Sequence, residues 1–125
     1  MKATELMVGD WVCLNDDIKC ELPLKVDGVL TDDISLDGEG FLGGAEGLIR
    51  PIPITPEIIE KNGWKETQYW HEYQDGKNTI QCCLPDMRGR INGIEIENFK
   101  CEYVHQYQHL LRLCGLNELA DNFKV

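Results

Sequence analysis

Two prolines in the segment LIRPIPI (48–54) constrain the fold of this chain more than any other feature. Proline has no backbone N–H, so neither Pro51 nor Pro53 can donate to a β-ladder or lie inside a helix. The segment therefore predicts an edge strand or an extended connector. Because the residue pattern changes here, we expect one domain of 125 residues with two lobes, a β-rich lobe over 1–54 and an α+β lobe over 55–125.

Short apolar runs separated by glycine and acidic turns indicate strands before the prolines. A first strand is predicted at 11–15, one or two more within 18–30, and a short one at 34–36. A small SH3-like barrel is one natural closure for such strands. The N-terminal half is therefore expected to be mostly β.

The second lobe combines helix and hairpin patterns. Thr55 and Pro56 suit the N-cap and first position of a short helix that ends at Asn62-Gly63. Apolar residues at spacings of three and four predict the clearest helix over 103–114. The predicted strands are 65–73, 79–84 and 91–96, with a turn at Asp75-Gly76 between the first two. The expected fold class is α+β, with a C-terminal antiparallel sheet and two main helices.

The stretch GEGFLGGAEG (38–47) contains five glycines, and its first six letters match G-x-G-x-x-G. In a dinucleotide site the last glycine opens a helix, and the amides at the start of that helix hold the pyrophosphate. No such helix is expected here, because Pro51 and Pro53 fall in its first turns. Nearby acidic residues also repel phosphate. We therefore predict a glycine turn, with no nucleotide and no other cofactor.

Acidic residues are concentrated in the first part of the chain, whose overall net charge is −10. Residues 1–47 carry eleven acidic and three basic side chains, whereas residues 48–125 carry eleven and nine. Nucleic-acid binding depends on lysine and arginine to neutralise phosphates, so direct binding is disfavoured. An acidic DNA mimic, which would inhibit a nucleic-acid enzyme by occupying its basic groove, stays an alternative.

The cysteines bear on the cellular compartment. No apolar run approaches the roughly 20 residues that span a bilayer, and the first residues lack the apolar core of an export signal. A cytoplasmic protein without a membrane partner is therefore expected. Because the cytosol is reducing, the cysteines are predicted to be free and mostly buried thiols. They are Cys13, Cys20, Cys82, Cys83, Cys101 and Cys114.

A small cysteine hydrolase is the enzymatic alternative. Cys20 or Cys13 precedes His71 by about fifty residues, a layout that some small cysteine peptidases use. Both cysteines lie in strand-like segments rather than at a helix N-terminus, where a reactive thiolate is favoured. A non-catalytic protein is therefore preferred.

Two histidines are the candidate metal ligands. His105 and His109 lie four residues apart on the predicted helix, the spacing at which two imidazoles can share zinc. The apolar stripe of that helix runs through Tyr107 and Cys114. His105, His109 and Arg112 are thus predicted to face solvent, and no biological metal site is expected.

Aromatic residues cluster after the short helix, and Tyr and Trp are favoured at protein interfaces. Alternation along a strand places Tyr69 and Tyr73 on one face and Trp70 on the other. One of these faces is expected to belong to the core. The other is predicted to contribute to an interaction surface.

Three segments carry a wider pattern. Lys2–Val12 reads K-x-x-E-L-x-x-G-x-x-V, Pro51–Trp64 contains P-I-P-I-T-P-E before a short helix, and Tyr103–Gln108 reads Y-V-H-x-x-Q. Together they resemble a family of small uncharacterised proteins from gut anaerobic bacteria and their phage-like or conjugative elements. The resemblance implies an α+β protein with a β-rich N-terminal half, and it brings no catalytic residues.

The sequence therefore predicts a non-catalytic module that binds another protein or serves as an accessory component of a mobile element. Its partner is expected to be a protein, with neither nucleic acid nor membrane bound directly. The cysteine hydrolase and the acidic DNA mimic are the alternatives.

Overall fold

The computed structural model describes the chain from residue 5 to residue 125, except for 32, 38–40, 43–44, 68–69, 75, 84–87 and 101. The glycine turn predicted within 38–47 lies largely outside the described residues, as does the predicted turn residue Asp75. No helix among the described residues is both long and apolar enough to cross a membrane.

The described residues form ten strands and four helices, which confirms the α+β class and the β-rich N-terminal half. The strands are β1 (Trp11–Leu14), β2 (Leu24–Val29), β3 (Ile34–Leu36), β4 (Phe41–Leu42), β5 (Ile49–Pro51), β6 (Lys65–Glu66), β7 (His71–Gln74), β8 (Thr79–Cys83), β9 (Arg88–Ile91) and β10 (Ile94–Lys100). The helices are α1 (Ala45–Leu48), α2 (Pro56–Lys61), α3 (Val104–Leu113) and α4 (Asn117–Asp121).

The N-terminal sheet has the antiparallel order β4-β3-β2-β1-β5. Pro51 lies opposite Val12 in the edge strand β5, where its missing N–H costs no ladder bond. Pro53 follows in a connector that forms an isolated bridge with Tyr103, so both predicted roles of the proline segment occur. The two end strands are not paired with each other among the described residues. The sheet is therefore open there, and the SH3-like closure is not found.

The C-terminal sheet is a meander of order β10-β9-β8-β7-β6, in which every strand pairs antiparallel with its chain neighbour. The segment 65–73, predicted as one strand, is divided between β6 and β7. Thr67 closes the turn between them, because its N–H donates to the carbonyl of Trp70 at 2.7 Å. The predicted strand 91–96 is likewise interrupted, since Asn92 and Gly93 form a hairpin turn with φ of 53° and 82°.

The helix ends follow the capping pattern of the sequence. The Thr55 hydroxyl accepts a hydrogen bond from the N–H of Ile58 at 3.2 Å, and Pro56 begins α2. Gly115 follows α3 with φ of 78°, a left-handed conformation that glycine adopts without strain. A short helix, α1, begins within the glycine stretch 38–47, where none was expected. It has four residues, too few to hold a phosphate at its N-terminus.

Two apolar cores share the inner strand β1. Val12 packs in the N-terminal core with aliphatic residues of β2, β3 and β5. Cys13, its neighbour on the other face of the strand, packs in a larger core that contains Trp64, Tyr107 and Phe123. Both cores therefore depend on the placement of one four-residue strand.

The prediction that all six cysteines are free thiols is wrong for two of them. Cys13 and Cys20 form a disulfide, with Cα atoms 5.7 Å apart. Cys82 is a buried thiol and Cys114 a half-buried one, and Cys101 lies outside the described residues. The prediction of free thiols depends on the cellular compartment that the composition indicates. The disulfide depends instead on the turn after β1, which brings the Cys13 and Cys20 side chains together.

Candidate functional site

A buried charged cluster lies where the chain enters β1. The side chain of Asp10 is 0% exposed, and its two oxygens lie 2.7 Å from His109 Nε2 and 2.7 Å from Arg112 Nη1. The N–H of Met7 also donates to the Asp10 carboxylate, at 2.8 Å. Arg112 in addition donates to the carbonyl of Val8 at 3.1 Å. We call Asp10, His109 and Arg112 the Asp10 cluster; it joins the N-terminal sheet to α3.

Gln108, fully buried beside this cluster, satisfies backbone groups of β1 and α4. Its Oε1 accepts from the N–H of Trp11 at 3.0 Å, and its Nε2 donates to the carbonyls of Gly9 at 2.7 Å and Ala120 at 3.0 Å. Gly9 has φ of 96°, and a Cβ at this position would lie 2.8 Å from the Asp121 carboxylate and 2.9 Å from Arg112 Nη2. A side chain at position 9 would therefore displace the ends of these two side chains and would be held in a strained left-handed conformation.

Gly9 and Gln108 are the glycine of the K-x-x-E-L-x-x-G-x-x-V segment and the final glutamine of the Y-V-H-x-x-Q segment. The structure places these two residues in direct hydrogen-bond contact, although 99 positions separate them. One residue from each of these two segments thus meets where the chain enters β1 and contacts α3. Their arrangement indicates a structural role.

The prediction that His105, His109 and Arg112 face solvent is wrong. His105 is only 6% exposed, and its ring lies 5.5 Å from that of His109 and 6.0 Å from that of Tyr103. Burial is the main cause that lowers the pKa of His105 to about 4, with His109 lowering it further and Asp10 opposing the shift. Helical periodicity missed this face because it is covered by polar residues near the start of the chain.

His105 and His109 do not point at a shared empty position. His109 directs Nε2 to the Asp10 carboxylate, and the two imidazole rings meet edge to face. An aspartate and a histidine in contact are also the orienting pair of many hydrolases. Here, however, the described hydrogen bonds of the Asp10 cluster go to its own members, to backbone groups, to Asp121 and to the Met7 sulfur. The arrangement supports lobe packing rather than acyl transfer.

The described contacts of Cys13, Cys20 and His71, the residues of the hydrolase alternative, do not join either cysteine to the histidine. The structure joins Cys13 to Cys20, so neither offers a thiolate in this state. His71 lies on β7 with Nε2 3.9 Å from Glu60 Oε1. No hydrogen bond or ion pair among the described residues joins His71 to either sulfur atom.

The predicted aromatic surface is divided between two faces, as the alternation required. Trp70 is half-buried on the outer face, with the Arg90 guanidinium 4.7 Å from its ring centroid. Tyr73 lies on the opposite face and packs against Trp64, with ring centroids 5.9 Å apart. Tyr69 lies outside the described residues. Tyr73 thus contributes mainly to the core, whereas Trp70 belongs to the outer face of the sheet.

The segment 15–23, which follows β1, is an ordered loop with exposed apolar side chains. Ile18 is 86% exposed and Leu22 is 66% exposed. The Asp17 carboxylate accepts hydrogen bonds from the N–H groups of Leu22 at 2.9 Å and Glu21 at 3.0 Å. These bonds, with that of Leu22 first, lower the pKa of Asp17. We call this segment the 15–23 loop.

Two further contacts hold the backbone of the 15–23 loop. Arg50 of β5 donates to the carbonyls of Asp17 and Ile18, the latter at 2.8 Å. The Cys13–Cys20 disulfide joins the loop to the buried face of β1. Sequence reasoning placed strands in this region because of its apolar letters. The turn residues Asn15, Asp16 and Asp17 were the feature that could have revealed the loop.

Comparison of the chain with protein-family models, with curated proteins and with solved structures gives no match.

Proposed function

We propose that this protein is a non-catalytic binding module whose 15–23 loop inserts into an apolar cleft with a basic rim on another protein. The observation that carries the proposal is the exposure of two apolar side chains, Ile18 at 86% and Leu22 at 66%. The backbone of their loop is held by the Asp17 carboxylate, by Arg50 and by the Cys13–Cys20 disulfide. Burying an isoleucine or leucine side chain contributes about 1.5–3 kcal/mol. Both side chains are available for such burial.

The fixed backbone lowers the cost of association. A mobile loop loses conformational entropy when a partner orders it, and this loss subtracts from the affinity. Asp17 and Arg50 already hold the backbone beneath Ile18 in the free protein. The loop therefore fits the role of a preorganised contact.

Charge supports the choice of partner. Asp16 and Glu21 are exposed beside the two apolar side chains, and residues 1–47 carry eight more acidic than basic residues. Complementary charge speeds encounter with a basic surface and disfavours acidic partners. A role as an accessory component of a mobile element is supported by the resemblance of the three sequence segments, and a cytoplasmic location stays a prediction.

The test compares two variants that each replace exposed isoleucine or leucine by aspartate. Ile18→Asp with Leu22→Asp changes the proposed contact, and Ile94→Asp, at an exposed position of the other sheet, is the matched control. Partners captured from lysate of the native host are quantified by mass spectrometry, and the leading partner is then titrated by calorimetry. We expect at least a tenfold loss of affinity for the loop variant and none for the control.

Equal binding by the loop variant and the wild-type chain would contradict the proposal. The same assay separates the acidic DNA mimic. Capture of a nucleic-acid enzyme that duplex DNA displaces, and that the loop variant still binds, would favour the mimic.

A further inference from the structure

Three potential metal ligands come together where α2 meets the C-terminal sheet. Glu60 is in the last turn of α2, and the turn after that helix leads directly into β6. Glu66 of β6 lies opposite His71 of β7 in the antiparallel register. One ligand atom from each of the three residues lies within 4.8 Å of the other two. The fold therefore assembles this group from one helix and two strands.

The imidazole of His71 supplies the observation that points to a ligand. His71 is 6% exposed, and its Nε2 is buried without a hydrogen-bond partner among the described residues. Glu60 Oε1 is 3.9 Å away, too far for a hydrogen bond. Leaving a buried polar atom unpaired destabilises a fold, so such an atom indicates a bound ion or water as its partner.

We propose that Glu60, Glu66 and His71 bind a divalent transition-metal ion, with zinc as the best match. Zinc takes imidazole nitrogen and carboxylate oxygen at about 2.0–2.2 Å, usually with four ligands. Glu60 and Glu66 are exposed and can rotate toward His71, whose ring is held by the core. Three protein ligands leave one position for water or for a donor from a partner.

Local charge favours a cation at this place. Among the described residues, neither Glu60 nor Glu66 forms an ion pair with lysine or arginine. Two lysines are sequence neighbours of the site: Lys61 directs its Nζ to the carbonyl of Val125 at 3.4 Å, and Lys65 lies opposite Glu72 in the β6–β7 register. Two carboxylates and a buried imidazole nitrogen therefore lie close together, and in the described part of the chain no lysine or arginine forms an ion pair with either carboxylate.

A second group of potential ligands, Cys13, Asp17 and Cys20, does not carry the same inference. Its sulfur atoms form a disulfide, and the Asp17 carboxylate already accepts two backbone hydrogen bonds. Arg50 also brings a positive charge to this loop. The two groups differ in that the one at His71 contains a buried ring nitrogen without a hydrogen-bond partner among the described residues, whereas the sulfur atoms of the other are joined to each other.

Zinc titration of the metal-stripped chain tests the proposal by calorimetry, with bound metal counted by mass spectrometry. We expect one zinc per chain with a dissociation constant in the micromolar range or below, and binding at least tenfold tighter than that of magnesium. Glu60→Gln and Glu66→Gln should each weaken zinc binding at least tenfold. Glu57→Gln, at an exposed position of the same helix, should leave it unchanged.

The histidine is tested without replacing it, because a change at a buried position can unfold the chain. The ring ¹⁵N resonances of His71 should shift on zinc addition, and cobalt should give the visible absorption of a four-coordinate site. Absence of a one-to-one complex, or equal loss of affinity in the Glu57→Gln and Glu66→Gln variants, would overturn the proposal. The site is independent of the 15–23 loop, so either proposal can fail without the other.

Discussion

Charged side chains are usually exposed and large apolar ones buried, and the two ends of β1 depart from this rule in opposite directions. At the start of the strand, a carboxylate is completely buried between a histidine and an arginine. At its end, the 15–23 loop holds an isoleucine and a leucine in solvent. Charged groups are rarely buried without partners, and large apolar groups exposed together on one surface indicate a contact.

The comparison indicates that Asp10, just before β1, and the loop just after it have different roles. The Asp10 cluster is fully paired within the protein, so its contribution is to the folded state. The exposed side chains of the 15–23 loop have no such partners and contribute little to folding. Substitutions at the two ends should therefore separate stability from binding.

The largest expected effect follows Asp10→Ala. It removes the acceptor for His109, Arg112 and the N–H of Met7 and leaves a half-buried guanidinium without its main partner. Breaking such a pair costs about 4 kcal/mol of unfolding free energy. Urea unfolding followed by circular dichroism measures the loss. Asp16→Ala, at the exposed other end of the strand, is the control and should change stability by less than about 0.5 kcal/mol.

An effect of similar size in both aspartate variants would remove the distinction between the two ends. It would mean that general charge repulsion, rather than the Asp10 cluster, governs the stability of the chain.

The next effect concerns pH. His105 has a folded-state pKa of about 4, below the value of about 6.5 in the unfolded chain, so the unfolded chain binds more protons between these values. Stability is therefore fully present above pH 6.5 and decreases as pH falls toward 4. About 2 kcal/mol should be lost from this group between pH 7 and pH 5.

Urea unfolding of the wild-type chain and of His105→Phe at both pH values measures this contribution. The phenylalanine variant keeps a ring against Tyr103 but has no imidazole to protonate. Between pH 7 and pH 5 its unfolding free energy should therefore decrease by about 2 kcal/mol less than that of the wild-type chain. The same pH dependence in both proteins would assign it to other groups.

The smallest effect is expected at the loop. Ile18→Ser with Leu22→Ser should change the unfolding free energy by less than about 0.5 kcal/mol, because both side chains are exposed. Thermal unfolding by calorimetry detects a larger change. A loss above about 2 kcal/mol would show that these side chains pack inside the protein in solution.

Local rules predicted the elements of this fold well. Thr55 and Pro56 start α2 as expected, and the apolar spacing of α3 predicted its bounds to within a residue. These features depend on contacts between residues a few positions apart, which the sequence displays directly. The Asn92-Gly93 pair is also a hairpin signal in the sequence, but the apolar residues on both sides of it resemble one continuous strand and lead to the wrong prediction.

Contacts across the chain could not be predicted in the same way. Nothing near His109 indicates that its partner is Asp10, or that Gln108 satisfies the backbone of Gly9. Two residues of the proposed metal site, Glu66 and His71, lie on one predicted strand. Their placement opposite each other on two paired strands therefore could not be predicted. The disulfide was missed because compartment was inferred from composition rather than from the turn after β1.

The side-chain hydrogen bonds that join β1 and the two residues before it to α3 and Phe123 connect positions 97 to 112 residues apart in the chain. Ribosomes add about 5–20 residues per second, so β1 precedes its partners in α3 and at Phe123 by about 5–20 seconds. During that interval Val12 can already pack with β2, β3 and β5, whereas the opposite face of β1 at Cys13 lacks the residues of α3 and Phe123 that cover it. We therefore expect the larger core to be completed after the N-terminal one, once α3, α4 and Phe123 have been synthesised.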